Sequence, residues 1–296
     1  MRIFVTGAPG FIGSALVPVL MQAGHQVLGL TRSEAGAESL RKMGAEVKYG
    51  NIEDLDSLRD GAASSDGVIH LAFNHDFSQF QKNAEDDRKA IEAIGEVLLG
   101  SHRPFVITSG TAIAANVDGK LSTEDGPTTS WNPRGATEGT IRDLAASGVK
   151  TSVVRLPQVH DTRKQGLVPY ITAVAREKGV SAYIGEGRNR WPAAHVSDVA
   201  RLYRLVFEKA ERGAIYHAVD EEGVAMKAIA ESLGRGLNVP VVSIQPAEVD
   251  AHFGWLALFA GLDMPSSSAM TQHKLNWKPT GPGLIADLDG MDYSQA

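Results

Sequence analysis

Glycines stand at positions 7, 10 and 13, in the stretch Gly7-Ala8-Pro9-Gly10-Phe11-Ile12-Gly13. Residues 2–6 before it read as a buried strand; residues 11–23 after it carry Ile12, Leu16, Val19 and Leu20 at helical spacing, and Gly24 ends that run. A strand that turns at once into a helix restricts its own backbone severely. Gly7 permits the tight turn, Gly13 lets the helix lie close against the strand, and Gly10 leaves the backbone open to an approaching phosphate. The first N–H groups of the helix have no partner within it, and the helix dipole favours negative charge there. Spaced glycines alone are common in ordinary turns; the strand-turn-helix setting makes this one a candidate pyrophosphate cradle.

The rest of the first half repeats the alternation. Val27 to Leu30 reads as a second strand, 34–42 as a helix, Val47 to Tyr49 as a third strand, and Asp54-Leu55 as the start of a short helix. Gly67 to Leu71 is a fourth strand, 79–99 a long helix with Ile91, Ile94, Val97 and Leu98 on one face, and Phe105 to Thr108 a fifth strand. A helix over 134–146 and a sixth strand over Thr151 to Leu156 follow. Apolar strands alternating with helices imply a parallel sheet covered on both faces, a Rossmann-type doubly wound α/β fold. After about residue 157 the alternation fails, and helices at 167–178, 197–210 and 224–235 are scattered among Pro and Gly. We therefore expect a dinucleotide-binding domain over 1–157 and a smaller, mostly substrate-binding region over 158–296, interleaved with the first.

Composition narrows the function. Lys and Arg number 29 against 35 Asp and Glu, a formal charge of −6, so nothing draws the chain to nucleic acid or an anionic membrane. Absence of cysteine excludes disulfides, thiolate zinc sites and a thiol nucleophile. The nine histidines form no His-Glu-x-x-His cluster, and no Gly-x-Ser-x-Gly elbow is present, so neither a metal site nor a hydrolase is expected. No apolar run approaches the roughly 18–20 residues of a membrane span. Gly7 to Gly10 breaks the N-terminal apolar run too early for a secretory leader, so a cytoplasmic location is expected.

The end of the second strand bears on which dinucleotide is held. An acidic residue there would bind the ribose hydroxyls of NAD and repel a 2′-phosphate. This chain has Thr31-Arg32-Ser33 instead. Arg32 can pair with a 2′-phosphate, with Thr31 or Ser33 hydrogen-bonding it, which favours NADP over NAD. A solvated loop role for Arg32 is the alternative, and Glu34 close by weighs against NADP.

With these features the chain resembles the short-chain dehydrogenase/reductase superfamily in its extended, epimerase-like branch. Besides the glycine spacing, Gly50-Asn51-Ile52 resembles the family's adenine-side motif, and His70-Leu71-Ala72-Phe73 its His-Leu-Ala-Ala after the fourth strand. Val153 to Pro157, His195 to Ala200 and the tail Leu275 to Pro279 also match family patterns. The resemblance implies that Gly7, Gly10, Phe11, Ile12, Gly13, Asn51, Ile52, Leu71, Ala72, Phe73, Ser109 and Pro157 line the cofactor, beside Thr31, Arg32 and Ser33. It also implies a possible homodimer through the helices near 80–99 and 134–146.

The chemistry departs from the family. Its Tyr-x-x-x-Lys pair is expected where this chain reads Arg134-Gly135-Ala136-Thr137-Glu138, and no tyrosine occurs between Tyr49 and Tyr170. Where the family's catalytic serine closes a Ser-rich run, this chain has Thr108-Ser109-Gly110-Thr111. The chain thus resembles an atypical subset without the usual phenol. Arg134 cannot act as an acid near neutral pH but can orient a carbonyl or an anion; an exposed helical ion pair with Glu138 is the alternative.

Loops at strand C-termini form the crevice of such folds. Asn74, His75 and Asp76 follow the fourth strand, Ser109 and Thr111 the fifth, Gln158, His160 and Asp161 the sixth. His75 and His160 are the candidate proton donors, with Thr111 beside them; each histidine is otherwise a hydrogen-bonded loop residue. Asn74, Arg134 and Tyr170 are candidate substrate contacts, and Tyr183 is a further phenol on the later half. Ser197 or Asp198 would cap the helix that follows His195. Trp131, Trp191 and Phe253 to Gly261 offer apolar surface for a core or for a small aromatic or terpenoid-like ligand. The expected activity is NADP(H)-dependent reduction of a small carbonyl or related compound. The alternatives are a non-catalytic NADP-binding sensor or partner protein and, third, an NAD(P)-dependent epimerase or dehydratase.

Overall fold

In the computed structural model, which describes residues 1–114, 119–129 and 132–294, the apolar runs of the first half pair side by side. The strands are β1 (Arg2–Thr6), β2 (Gln26–Thr31), β3 (Glu46–Tyr49), β4 (Gly67–His70), β5 (Pro104–Gly110) and β6 (Lys150–Leu156). Between them run α1 (Phe11–Gln22), α2 (Glu34–Lys42), α3 (Leu55–Ala63), α4 (Phe80–Leu98) and α5 (Arg134–Ala146). The chain then continues through β7 (Gln158–His160), α6 (Val168–Lys178), β8 (Ser181–Ile184), β9 (Arg190–His195), α7 (Val196–Lys209) and β10 (Ala214–His217). It ends with β11 (Glu221–Ala225), α8 (Met226–Leu237), β12 (Val241–Ile244) and short helices from Val249 onward.

The main sheet has seven strands in the order β10-β6-β5-β4-β1-β2-β3. Every pairing in it is parallel, for example Val5 opposite Ile69 and Ser109 opposite Arg155. Along β1, Ile3 and Val5 face one core with α1 and α7, while Phe4 faces the other with Leu58, Ile91 and Ile94. Alternate side chains of a pleated strand point to opposite faces, so both faces are covered, as a doubly wound sheet requires.

The sequence pattern misses β10. It is four residues long, lies beyond the expected boundary at 157, and pairs with β6 from Ala214 opposite Ser152 to His217 opposite Arg155. A three-stranded sheet (β11-β9-β7), a two-stranded sheet (β12-β8) and helices α6 and α8 form the later region. Its own core gathers around Trp191, Phe253, Leu256 and Phe259. No helix of the described residues is long and apolar enough to cross a membrane.

Candidate functional site

The glycine turn has the geometry its spacing requires. Gly7 has φ +67° and accepts a hydrogen bond from Gly10 N at 2.9 Å. A Cβ on Gly13 would lie 2.4 Å from the carbonyl oxygens of Gly7 and Ala8, and one on Gly7 would lie 2.9 Å from Ala72 N. No side chain caps the N-terminus of α1, so its first amides remain available. Phe11 and Ile12 are the first residues of that helix and are half-buried. A cradle that side chains would fill, beside uncapped amides, fits the diphosphate of a dinucleotide.

Thr6 ties this turn to the exit of β4. Its Oγ1 accepts from Leu71 N at 3.2 Å and Ala72 N at 3.1 Å and lies 2.8 Å from His70 Nδ1. With both amides accepted, the hydroxyl proton is left for Nδ1, so His70 carries its own proton on Nε2. That proton goes to Asp87 Oδ1 at 3.1 Å, inside a pair that is fully buried.

At the end of β2, Thr31 is buried and bonds within the loop, its Oγ1 accepting from Ser33 N at 3.3 Å. Ser33 accepts from Gly36 N at 3.1 Å and so caps α2, which leaves its hydroxyl proton free. Arg32 is exposed and has no ion pair among the described residues. Glu34 is drawn away: it bonds Tyr49 and Arg41 (Nη1 at 2.6 Å), and these bonds hold its carboxyl below the ordinary range. In the loop after β3, Asn51 Oδ1 accepts from Glu53 N at 2.7 Å and Asp54 N at 3.1 Å, with half-buried Ile52 beside it.

The start of α5 overturns the alternative of an exposed Arg134–Glu138 pair. Both side chains face inward, and each finds a partner from another element. Arg134 Nη2 donates to the Thr108 carbonyl at 2.7 Å and lies 3.3 Å from Asp87 Oδ2, while its guanidinium sits 4.4 Å above the Phe73 ring. Its Nε is buried and without a partner among the described residues. Glu138 accepts from Ser109 Oγ at 2.8 Å, from Arg155 Nε at 2.9 Å and from Arg155 Nη2 at 2.7 Å. Ser109 is therefore committed to a buried carboxylate. Tyr203 of α7 lies close by, fully buried, with its hydroxyl 2.7 Å from Thr108 Oγ1; burial pushes its phenol far above the ordinary range.

The remaining candidates separate. His75 is exposed in the segment after β4, its ring nearly perpendicular to Phe73 (5.6 Å between centroids) and Phe77 (6.0 Å). Surrounding protein atoms, then the charges of Lys164 and Arg134, hold its pKa below 6.5, against a smaller opposing effect of the Phe73 backbone. Tyr170 donates to the His75 carbonyl at 3.4 Å, and Asn74 Oδ1 accepts from Asp76 N at 3.1 Å. Phe73, Phe77, Phe80, Tyr170, Trp255 and Phe259 form one chain of ring contacts, with Phe77 stacked on Trp255 at 5.4 Å.

His160 does not join them. Pro157, half-buried, ends the main-sheet course, and β7 then pairs with β9 in the second sheet. His160 is fully buried there, 2.6 Å from Asp287 Oδ2 and packed on His195. Thr111 is also buried, with its hydroxyl donating to the Leu156 carbonyl at 3.3 Å. Tyr183 packs under Lys227, and Trp131 lies outside the described residues. The helix after His195 is capped by His195 itself, which accepts from Ser197 N, rather than by Ser197 or Asp198. Among the described residues, no group of three His, Cys, Asp or Glu is placed to hold a metal.

Sequence reasoning missed Asp87, Arg155 and Tyr203. Asp87 had a signal: with Asn83 it sits on the same α4 face as Ile91 and Ile94, where a polar residue must have a partner.

Comparison with known proteins gives a consistent family. The model described as the NAD dependent epimerase/dehydratase family matches residues 3–220. Uncharacterized protein C2A9.02 of Schizosaccharomyces pombe is 49% identical over 295 residues, covering 99% of this chain and 100% of its own. A 4-hydroxy-2-methyl-3-oxo-4-farnesyl-3,4-dihydroquinoline-1-oxide ketoreductase of Stigmatella aurantiaca is 25% identical over 276 residues, covering 87% of this chain and 82% of its own. DesIV, a dTDP-glucose 4,6-dehydratase of Streptomyces venezuelae solved with NAD and TYD bound, superposes with a TM-score of 0.79 at 17% identity, over 99% of this chain and 96% of that one. That last likeness is one of fold.

Proposed function

The chain belongs to the NAD dependent epimerase/dehydratase family, and from that premise we propose that it is an NADP(H)-dependent reductase of small carbonyl compounds with an apolar, aromatic body. The observation that carries this reading is Arg134, fixed by Asp87 and Thr108 over the ring of Phe73. An epimerase or dehydratase must first oxidise a hydroxyl and so needs a base to take its proton. A guanidinium cannot serve as that base, but it can stabilise the oxyanion that forms when a carbonyl is reduced. The ketoreductase among the relatives acts in that sense, on a fused aromatic compound by its name.

Gly7, Gly10, Gly13 and the amides opening α1 would hold the diphosphate, with Asn51 and Ile52 at the adenine and Leu71 to Phe73 along the wall. When bound, the cofactor supplies hydride to the carbonyl carbon. Arg134 orients the carbonyl oxygen. His75 holds the proton that completes the alcohol. The ring chain from Phe73 to Trp255 excludes water and seats the apolar body.

Arg32 supports NADP, because the acid beside it is already paired with Arg41 and hydrogen-bonded by Tyr49. Arg32→Ala should weaken NADPH binding about tenfold or more, as loss of a charge-assisted contact does. NADH should change less than about twofold, since it lacks the phosphate that Arg32 would meet. Fluorescence titration of both nucleotides decides it: equal loss for both would remove the NADP assignment. Binding of NADPH without turnover across aromatic and aliphatic carbonyls would leave a nucleotide-binding role only.

The pH profile tests His75. Its pKa lies below 6.5, so the ring is mostly neutral at pH 7 and its acid form grows as pH falls. Turnover in the reductive direction should therefore rise from pH 8 toward pH 5.5. His75→Ala should lower kcat about a hundredfold and flatten that rise. A profile unchanged by the substitution would assign the proton to another group.

A further inference from the structure

We propose that Lys164, carried by the later region, is a diphosphate clamp that reaches across the cleft onto the glycine turn. The inference rests on the dinucleotide reading above and adds a residue to it.

The cradle supplies no formal charge: residues 7–14 read Gly-Ala-Pro-Gly-Phe-Ile-Gly-Ser. Amides and the dipole of α1 would face a doubly negative diphosphate alone. Lys164 provides the missing cation. Its Nζ lies 5.9 Å from the centroid of the Phe11 ring, and Phe11 is the first residue of α1.

The turn that carries Lys164 is built from inside. Asp161 Oδ1 accepts from Arg163 N at 2.7 Å and Lys164 N at 2.8 Å, and Asp161 N donates to the Lys164 carbonyl at 2.9 Å. Buried Gln165 closes it by donating from Nε2 to the Asp161 carbonyl at 2.9 Å. The Asp161 carboxylate is taken by these amides and by Arg163 at 3.1 Å. Lys164 is exposed and has no ion pair among the described residues. The other lysines over rings differ: Lys274 pairs with Glu211 at 2.6 Å, and Lys227 lies 4.0 Å from Glu231. The charge of Lys164 also reaches His75 and helps depress its pKa, consistent with a place over the cleft.

Adenosine 2′-monophosphate lacks the diphosphate, whereas ADP-ribose lacks the 2′-phosphate, so the two ligands separate Lys164 from Arg32. Lys164→Ala and Lys164→Gln should weaken NADPH, NADH and ADP-ribose by a common factor of about ten. They should leave adenosine 2′-monophosphate unchanged, and Lys164→Arg should restore most of the loss. Raising salt should weaken the wild type more steeply than Lys164→Ala, because one screened attraction is gone. Lys164 is exposed, so these variants are expected to fold, which thermal melting checks. Dissociation constants for NADPH, NADH and ADP-ribose within twofold of wild type in Lys164→Ala and Lys164→Gln would overturn the clamp while leaving the dinucleotide reading intact. Failure of the wild-type protein to bind any of the three would overturn both.

Discussion

Glu138→Ala should destabilise the fold by about 3–5 kcal/mol, the range for breaking a buried ion pair from one side. Glu138 and Arg155 are both essentially without exposure, and the carboxylate takes three hydrogen bonds from Arg155 and Ser109. Removing it leaves a guanidinium inside the protein whose remaining side-chain hydrogen bond among the described residues is to His217, Nη1 to Nε2 at 3.3 Å. His217 can accept there because its Nδ1 donates to the Ser267 carbonyl at 2.9 Å. Burial above all, and Arg155 as well, press its pKa down to about 4, so it stays neutral and offers the guanidinium an acceptor but no negative charge. Burial alone would raise the pKa of Glu138, but the bonds and charge of Arg155 and the Ser109 hydroxyl outweigh it and hold the group ionised. Its stabilisation is therefore present above the ordinary carboxylate pKa and lost as pH falls through the lowered one. Urea unfolding at pH 7 should show the full gap, narrowing in acid. The double variant Glu138→Leu/Arg155→Met should recover much of the loss, because the pair's cost lies in desolvation rather than shape. A single variant within 1 kcal/mol of wild type would mean that water reaches Arg155 in solution.

Much of the fold was legible because its first half is written in local patterns. Helices α2 and α5 fall where the spacing put them, 34–42 and 134–146, and the glycine turn behaves as its spacing implies. What stayed hidden depends on contacts far apart in sequence. Spacing of four placed Arg134 and Glu138 on one helical face, but could not say that this face is buried. Once it is, Asp87 and Arg155 outcompete the local pairing. His160 was expected in the crevice because it follows the sixth strand closely. Pro157 ends that course, and β7 carries the ring into a second sheet, against Asp287 at a separation of 127 residues. β10 escaped notice because four residues, Ala-Ile-Tyr-His, are too few to show a period. The glycine turn was thus readable from its motif, whereas the settings of Arg134, Glu138 and His160 depend on partners that only the fold supplies.

Arg134→Gln should lower kcat for carbonyl reduction by about a hundredfold to a thousandfold, the range found when an oxyanion donor is removed. The NADPH dissociation constant should change little, since Arg134 bonds Asp87 and Thr108 rather than the glycine turn. A large fall in kcat with a steady KM would mark a contact made mainly in the transition state. Arg134→Lys should fall short of wild type: an ammonium lacks the planar fork that lets a guanidinium hold Asp87 and still present a donor to a second oxygen. Asp87→Asn probes the same arrangement without touching substrate. Asp87 is fully buried between His70 and Arg134, so the amide keeps the space but loses the charge that anchors the guanidinium. Its effect on kcat should be smaller than that of Arg134→Gln and largely absent in the Arg134→Gln background, because a positioning residue acts only through the group it positions. Guanidinium ion added to Arg134→Ala should restore part of the turnover. Turnover of Arg134→Gln equal to wild type would exclude Arg134 from the chemistry.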